Sequence, residues 1–258
     1  MDEAVTLLHG FTLNGASWDE LIAKMPGRWK WIAPDLRGHG SAATSPATMD
    51  DCAADLEALW KHLGIERSHV VGYSMGGRLA LHVAVRLPER TRSLLTIGAH
   101  AGLDGEARAT RRQTDEALAD RIENEGVESF VQHWESRPMF AGIKRRGPAF
   151  AAWLHGLRVS NRADGLAASL RGMGAGAMEP LWGELGAIDV PCTFVAGEDD
   201  DQFVQIGVRL SESVDRSRFL RVPGSGHSVQ FEQPDATASI LADHLRWAAT
   251  ATSSSTTA

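Results

Sequence analysis

Between an apolar run, His69 to Gly72, and a helical pattern, Met75 to Arg86, lies Gly72-Tyr73-Ser74-Met75-Gly76, followed by Gly77. This G-x-S-x-G segment constrains the fold more than any other. The turn from strand to helix is too tight for side chains at the glycines. It lifts the Ser74 hydroxyl above a sheet, at the N-terminus of the next helix, where backbone amides can stabilise a developing oxyanion. A glycine-rich turn arising by chance is the alternative, and the strand–turn–helix setting weighs against it.

The rest of the chain alternates in the same way. Ala4 to Leu8 reads as a buried strand ended by His9-Gly10, and Trp29 to Ala33 as a second, ended by Pro34-Asp35. Met49 to Leu63 carries Ala53, Leu56, Leu59, Trp60 and Leu63 at helical spacing, and Gly64 stops it. Ser93 to Gly98, Cys192 to Ala196 and Phe219 to Val222 complete the strands, and Ala236 to Ala248 is a last helix. Alternating strands and helices imply a mostly parallel sheet flanked by helices, an α/β fold. From Leu103 to about Gly186 only helical patterns and turns appear, which implies a helical lid inserted between two strands. The expected division is a core over 1–102 and 187–248, a lid over 103–186 and a disordered tail over 249–258. The glycine-rich run Gly172 to Gly176 points to a mobile lid.

A serine needs a base, and the base an orienting carboxylate. Both appear in loops at the carboxyl ends of later strands, the same edge as Ser74. His227 follows Pro223-Gly224-Ser225-Gly226 and is the only histidine in such a loop after the acidic cluster. Four acids, Glu198, Asp199, Asp200 and Asp201, follow Gly197, and their pattern equally suits a solvated turn. The amide of Phe11, after His9-Gly10, is expected to face that of Met75 and complete an oxyanion hole. His9 and His39 read as loop architecture, and His244 as a surface residue of the last helix. Trp18, Trp29, Trp31 and Trp60 read as core.

Composition removes several alternatives. The net charge is -7, without the basic patch of a nucleic-acid binder, so an anionic small-molecule substrate must be held by local cations. Two cysteines, Cys52 and Cys192, cannot form a disulfide framework and suit a reduced, cytoplasmic protein. No signal peptide, membrane span, metal-ligand spacing or phosphate-binding loop is recognisable, so no cofactor and no metal are expected. The assembly is expected to be a monomer or small homo-oligomer.

Apart from its tail, the chain resembles the α/β-hydrolase superfamily, and most of all the 2-succinyl-6-hydroxy-2,4-cyclohexadiene-1-carboxylate synthases, lyases of menaquinone biosynthesis. The resemblance lies in His9-Gly10-Phe11, Gly72 to Arg78, Arg111-Arg112-Gln113-Thr114-Asp115, Trp134 with Pro138-Met139-Phe140, Leu157-Arg158-Val159-Ser160-Asn161 and Gly197-Glu198-Asp199-Asp200. It implies Asp200 as the triad acid, and Arg78, Arg111 and Arg158 as holders of substrate carboxylates. Tyr73 and Trp134 match further pocket positions. Arginine suits the task because it stays charged and binds carboxylates through two parallel hydrogen bonds. Many relatives carry two more antiparallel strands before the first strand here, so a smaller sheet is expected. The implied activity is elimination of pyruvate from a succinyl-cyclohexene polycarboxylate. A serine esterase or C–C bond hydrolase acting through an acyl-enzyme is the alternative, since the same triad serves both. A non-catalytic ligand sensor is a third reading.

Overall fold

The computed structural model describes residues 3–45 and 47–253. Six strands form one sheet: β1 (Ala4–Leu8), β2 (Lys30–Ile32), β3 (Ser68–Tyr73), β4 (Thr91–Ile97), β5 (Cys192–Gly197) and β6 (Ser217–Val222). Their order is β2-β1-β3-β4-β5-β6, and every neighbouring pair is parallel. The helices are α1 (Asp19–Lys24), α2 (Met49–His62), α3 (Met75–Arg86), α4 (Gly105–Glu135), α5 (Pro148–Val159), α6 (Ala163–Met173), α7 (Asp201–Glu212), α8 (Val229–Glu232) and α9 (Pro234–Ser253).

Parallel strands are covered on both faces, and their sequences read as continuous apolar runs for that reason. Alternate residues serve opposite faces. Leu8, Val70, Leu94 and Phe194 join Leu56 and Trp60 of α2 and Leu79 of α3 in one core. Leu7, Val71, Leu95 and Val195 join Leu21 of α1 and Leu241 and Leu245 of α9 in the other. From β1 the chain crosses to β2 on one side and then to β3 on the other. Ligands of open α/β sheets bind where the strand order reverses, beyond the carboxyl ends of the strands. Here that point lies between β1, which leads to Phe11, and β3, which leads to Ser74.

The helical insertion α4–α6, with a 3-10 stretch Pro138–Arg146, lies between β4 and β5 in the chain. α4 is interrupted at Gly126, whose φ of 81° and ψ of 165° are not helical. The glycines of the 172–176 run are there for close packing rather than slack. A Cβ at Gly172 would sit 2.0 Å from the Ala47 carbonyl oxygen, and one at Gly176 2.2 Å from the Arg112 nitrogen.

Three expectations need correction. The last helix extends to Ser253, so the start of the supposed disordered tail is helical, as its alanine-rich sequence allows. Residues 254–258 lie outside the described residues. His244 is fully buried, not on the surface, because it shares the inward face of α9 with Leu241, Leu245 and Ala248. Trp31 is only partly buried, on the short edge strand β2, while Trp18, Trp29 and Trp60 are in the core.

Candidate active site

The elbow is built by close backbone approach. A Cβ on Gly72 would lie 2.2 Å from the Gly76 carbonyl oxygen, and one on Gly76 would lie 2.1 Å from that of Leu8. Neither position tolerates a side chain. Ser74 itself takes φ 51° and ψ -110°, a conformation that costs a non-glycine residue about 1–3 kcal/mol. It is held there by its N–H donating to the Ile97 carbonyl at 2.8 Å, and its own carbonyl accepts from the Arg78 N–H at 3.0 Å.

The Ser74 hydroxyl lies 3.1 Å from Nε2 of His227, and Nδ1 of His227 lies 2.9 Å from Oδ2 of Asp200. An ionised carboxylate only accepts, so Nδ1 carries the proton and Nε2 is free to accept from Ser74. The other three acids of the cluster do not compete. Glu198 is 3.7 Å from Arg221, Asp199 is 4.0 Å from Arg145, and Asp201 is exposed in the first turn of α7. The His227 ring lies between Tyr73 and Phe203, at centroid distances of 5.5 and 4.7 Å. The Tyr73 hydroxyl is hydrogen-bonded to Ser228 Oγ at 2.8 Å, and burial pushes its pKa up.

Phe11 and Met75 both line the cavity above Ser74. Met75 opens α3, so its amide has no acceptor within the helix. The Phe11 loop is shaped by His9, whose Nε2 accepts from the Leu36 N–H at 3.0 Å while Nδ1 donates to the Gly10 carbonyl at 2.9 Å. Burial lowers the His9 pKa to about 4 and, with His9 beside it, that of His39 to about 3. Both are neutral spacers, and His39 packs edge-on against the Phe11 ring.

The cavity, about 260 Å³, is walled by the sheet edge below and the helical insertion above. Arg78, Arg111 and Arg158 all line it, as does Trp134. Arg78 is anchored by donating to the Met173 carbonyl at 2.8 Å, Arg111 to Asp115 at 2.7 Å and Arg158 to Glu135 at 2.9 Å. Burial, reinforced by the charge of Arg111, lowers the Arg78 pKa to about 10. Trp134 stacks on Phe130 and meets Phe11 edge-on. Asn161 ties the insertion to the loops beneath, accepting from the Gly40 N–H at 2.8 Å and donating to the Thr12 carbonyl at 2.7 Å.

Two titratable lining residues escaped sequence reasoning. Arg137 adds a fourth cation; its guanidinium lies 4.5 Å over the Trp134 ring, and burial and Arg111 lower its pKa. Among the described residues it has no ion-pair partner. Its signal was its place directly before Pro138-Met139-Phe140. His100 follows β4 on the same sheet edge as Ser74, which could have marked it. Its Nδ1 accepts from the Gly102 N–H at 2.9 Å, and burial, then Arg78 and Arg111, lower its pKa to about 3. It is therefore a neutral ring with its proton on Nε2. Among the described residues no group of three or more His, Cys, Asp or Glu side chains is placed to hold a metal ion.

Chemically, the arrangement pairs a hydroxyl that can pass its proton to an imidazole with a cavity lined by four arginines. Repulsion among the arginines is relieved when negative charge enters.

The chain is similar to known proteins over most of its length. A family model described as the α/β-hydrolase fold matches residues 3–234. A Bacillus subtilis protein named putative 2-succinyl-6-hydroxy-2,4-cyclohexadiene-1-carboxylate synthase is 35% identical over 94% of this chain and 90% of its own. An Enterobacter protein named as the same synthase is 31% identical over 94% of this chain and 91% of its own. Among solved structures, MenH from S. aureus matches with a TM-score of 0.90 at 28% identity, covering 96% of this chain and 95% of that one. The enol-lactonase of Burkholderia xenovorans, at 21% identity and a TM-score of 0.84, shares the fold. With a family model matched over residues 3–234 and such relatives covered over 90% and 91% of their own lengths, the chain belongs to the α/β-hydrolase fold family and, within it, to the 2-succinyl-6-hydroxy-2,4-cyclohexadiene-1-carboxylate synthases.

Proposed function

We propose that this protein is a carbon–oxygen lyase that eliminates pyruvate from a succinyl-cyclohexene polycarboxylate in menaquinone biosynthesis, with Ser74, His227 and Asp200 as its triad. The observation that carries this reading is the Ser74–His227 hydrogen bond opening into a cavity lined by Arg78, Arg111, Arg137 and Arg158. A neutral ester gives no reason to gather four cations in a protein of net charge -7.

In the proposed reaction His227 takes the Ser74 proton, and the resulting alkoxide removes a proton from the substrate ring. The freed electron pair becomes a ring double bond, and the C–O bond to the pyruvyl group breaks. The leaving group departs as the enolate of pyruvate and ketonises by taking the proton held on His227, which returns the site to its starting state. Negative charge that develops on a substrate oxygen is held by the Phe11 and Met75 amides at the N-terminus of α3. The arginines bind the carboxylates through charge-assisted hydrogen bonds, and Tyr73 and Trp134 shape the pocket. No water and no cofactor enter the chemistry.

The core-and-lid division at 102/103 and 186/187 belongs to the same reading, with the insertion as a cover that excludes water. So does a cytoplasmic setting, in keeping with two buried, unpaired cysteines. Among the described residues no helix is long and apolar enough to cross a membrane.

The test is a pyruvate-release assay with the polycarboxylate intermediate, run beside a simple aryl ester. Rapid pyruvate release with feeble ester hydrolysis is the expected result. Efficient ester turnover without pyruvate release would favour the hydrolase alternative.

A further inference from the structure

His227 is held from below by a carboxylate that does not touch its ring. Glu232, at the end of α8, has a side chain 0% exposed. Its Oε2 accepts from the Gly226 N–H at 3.0 Å and its Oε1 from the Ser228 N–H at 3.2 Å. These are the amides on either side of His227. One carboxylate thus clamps both backbone flanks of a single residue. A buried carboxylate is costly without such partners, so the clamp is rigid once made.

The only cation on this carboxylate, among the described residues, comes from the insertion. Arg145 Nη2 donates to Glu232 Oε2 at 2.9 Å and to the Gly224 carbonyl at 2.9 Å. Arg145 is 58% exposed, so it reaches the buried acid from the surface. The same 3-10 stretch carries Met139 and Phe140 into the cavity wall. It also carries Gly142, where a Cβ would lie 1.6 Å from Glu232 Oε2, so only glycine lets the stretch come down on the acid. Arg146, next in the chain, donates to the Phe231 carbonyl and pairs with Glu20 at 2.9 Å.

We propose that Glu232 is a positioning residue for His227, and that Arg145 uses it to couple the seating of the insertion over the cavity to the placement of the base. The coupling rests on His227 being the base and is independent of which substrate the enzyme uses. When the stretch 138–146 is seated, Arg145 neutralises Glu232 and the clamp on Gly226 and Ser228 is complete. When it lifts, the buried acid loses its cation and the loop bearing His227 loosens. The base is then in register with Ser74 only beneath a closed cavity.

The test uses Glu232→Gln and Arg145→Met in the full chain, with melting curves and steady-state kinetics for pyruvate release and aryl-ester hydrolysis. Glutamine keeps one acceptor oxygen and turns an NH2 group toward an amide N–H. A misplacement on the order of 1 Å can cost about a hundredfold, so kcat is expected to fall roughly ten- to a hundredfold in both reactions, with KM little changed. Arg145→Met is expected to melt as wild type does, to lose kcat by a smaller factor in both, and to be partly rescued as Arg145→Lys. The downfield Nδ1–H proton resonance of His227 should broaden in Glu232→Gln. A folded Glu232→Gln with unchanged kcat would overturn the proposal, as would an Arg145→Met whose KM alone rises. If Glu232→Gln does not fold, Arg145→Met decides alone, and unchanged kcat there refutes the coupling. Absence of pyruvate release in the wild type would defeat the substrate assignment and leave this test standing in the ester reaction.

Discussion

Among the described residues two chains of hydrogen-bonded serine and histidine occur, and of these one faces the cavity. Ser74–His227–Asp200 lies at the carboxyl ends of the strands, with its hydroxyl beside the cavity and its histidine oriented by a carboxylate. The other runs through the core between the sheet and α9. His69 Nδ1 meets Ser93 Oγ at 2.7 Å, Ser93 meets His244 Nε2 at 2.8 Å, and His244 Nδ1 meets Thr193 Oγ1 at 2.9 Å. All four side chains are fully buried. The groups are nearly the same, so a Ser–His contact does not define a reactive site. What differs is access and the strained backbone that presents Ser74 to the cavity; a carboxylate is present in both, since His69 Nε2 of the core network lies 3.5 Å from Glu3 Oε2.

The largest contrast is in activity. Ser74→Ala and His227→Ala are expected to lower kcat by about a thousandfold or more with melting temperature nearly unchanged. Asp200→Asn should do nearly the same, and double mutants should fall far short of additivity because the three act as a unit. Ser93→Ala should leave the turnover of folded protein intact. Steady-state kinetics on samples matched by circular dichroism would check both halves.

A smaller effect separates the cavity's cations from its triad. Arg78→Ala, Arg111→Ala and Arg158→Ala each remove charge-assisted hydrogen bonds worth about 1.5–3 kcal/mol, roughly ten- to a hundredfold in kcat/KM for the polycarboxylate. Lysine replacements should not fully rescue, since lysine lacks the two-pronged contact. Hydrolysis of a neutral aryl ester should hardly respond. Equal losses on both substrates would mean that the arginines support the fold rather than the ligand.

The core network should answer in stability instead. Ser93→Ala strands His69 Nδ1 and His244 Nε2, a loss of about 1–3 kcal/mol. Calorimetry should show it as about 2–4 °C of melting temperature per kcal/mol. Acid should act through the same pair. Burial lowers the pKa of His69 to about 4 and that of His244 to about 3, against 6.5 for each when unfolded. The unfolded chain therefore binds protons first, and stability present above pH 6.5 is lost as pH falls from there toward 4. Ser93→Ala and His244→Phe should alter the slope of melting temperature against pH in that window, and Ser74→Ala should not.

The same contrast explains what was legible in the sequence. The inner strands β1, β3, β4 and β5 are buried on both faces and print as apolar runs, the edge strands β2 and β6 as shorter apolar stretches, so all six and the insertion between β4 and β5 were readable. Ser74 and His227 were readable because each sits in a short loop of recognisable composition after a strand. Asp200 was not separable from its neighbours on pattern alone; its pairing with His227 depends on how the loop enters α7. Arg137 and His100 depend on how the insertion docks, a tertiary fact with no local period. His244 was misread although the signal was present: it falls on the helical stripe of Leu241, Leu245 and Ala248, where the core lies. A polar residue on an apolar stripe is a buried residue with a partner, and its partners, Ser93 and Thr193, are distant in sequence.

The central claim, that Ser74 moves a proton rather than an acyl group, is tested most directly by intact-protein mass spectrometry during turnover of the polycarboxylate. The expected result is an unmodified protein mass at every quench time while pyruvate and the ring diene accumulate in equal amounts. A transient mass increase that maps to the Ser74 peptide and disappears in Ser74→Ala would contradict it.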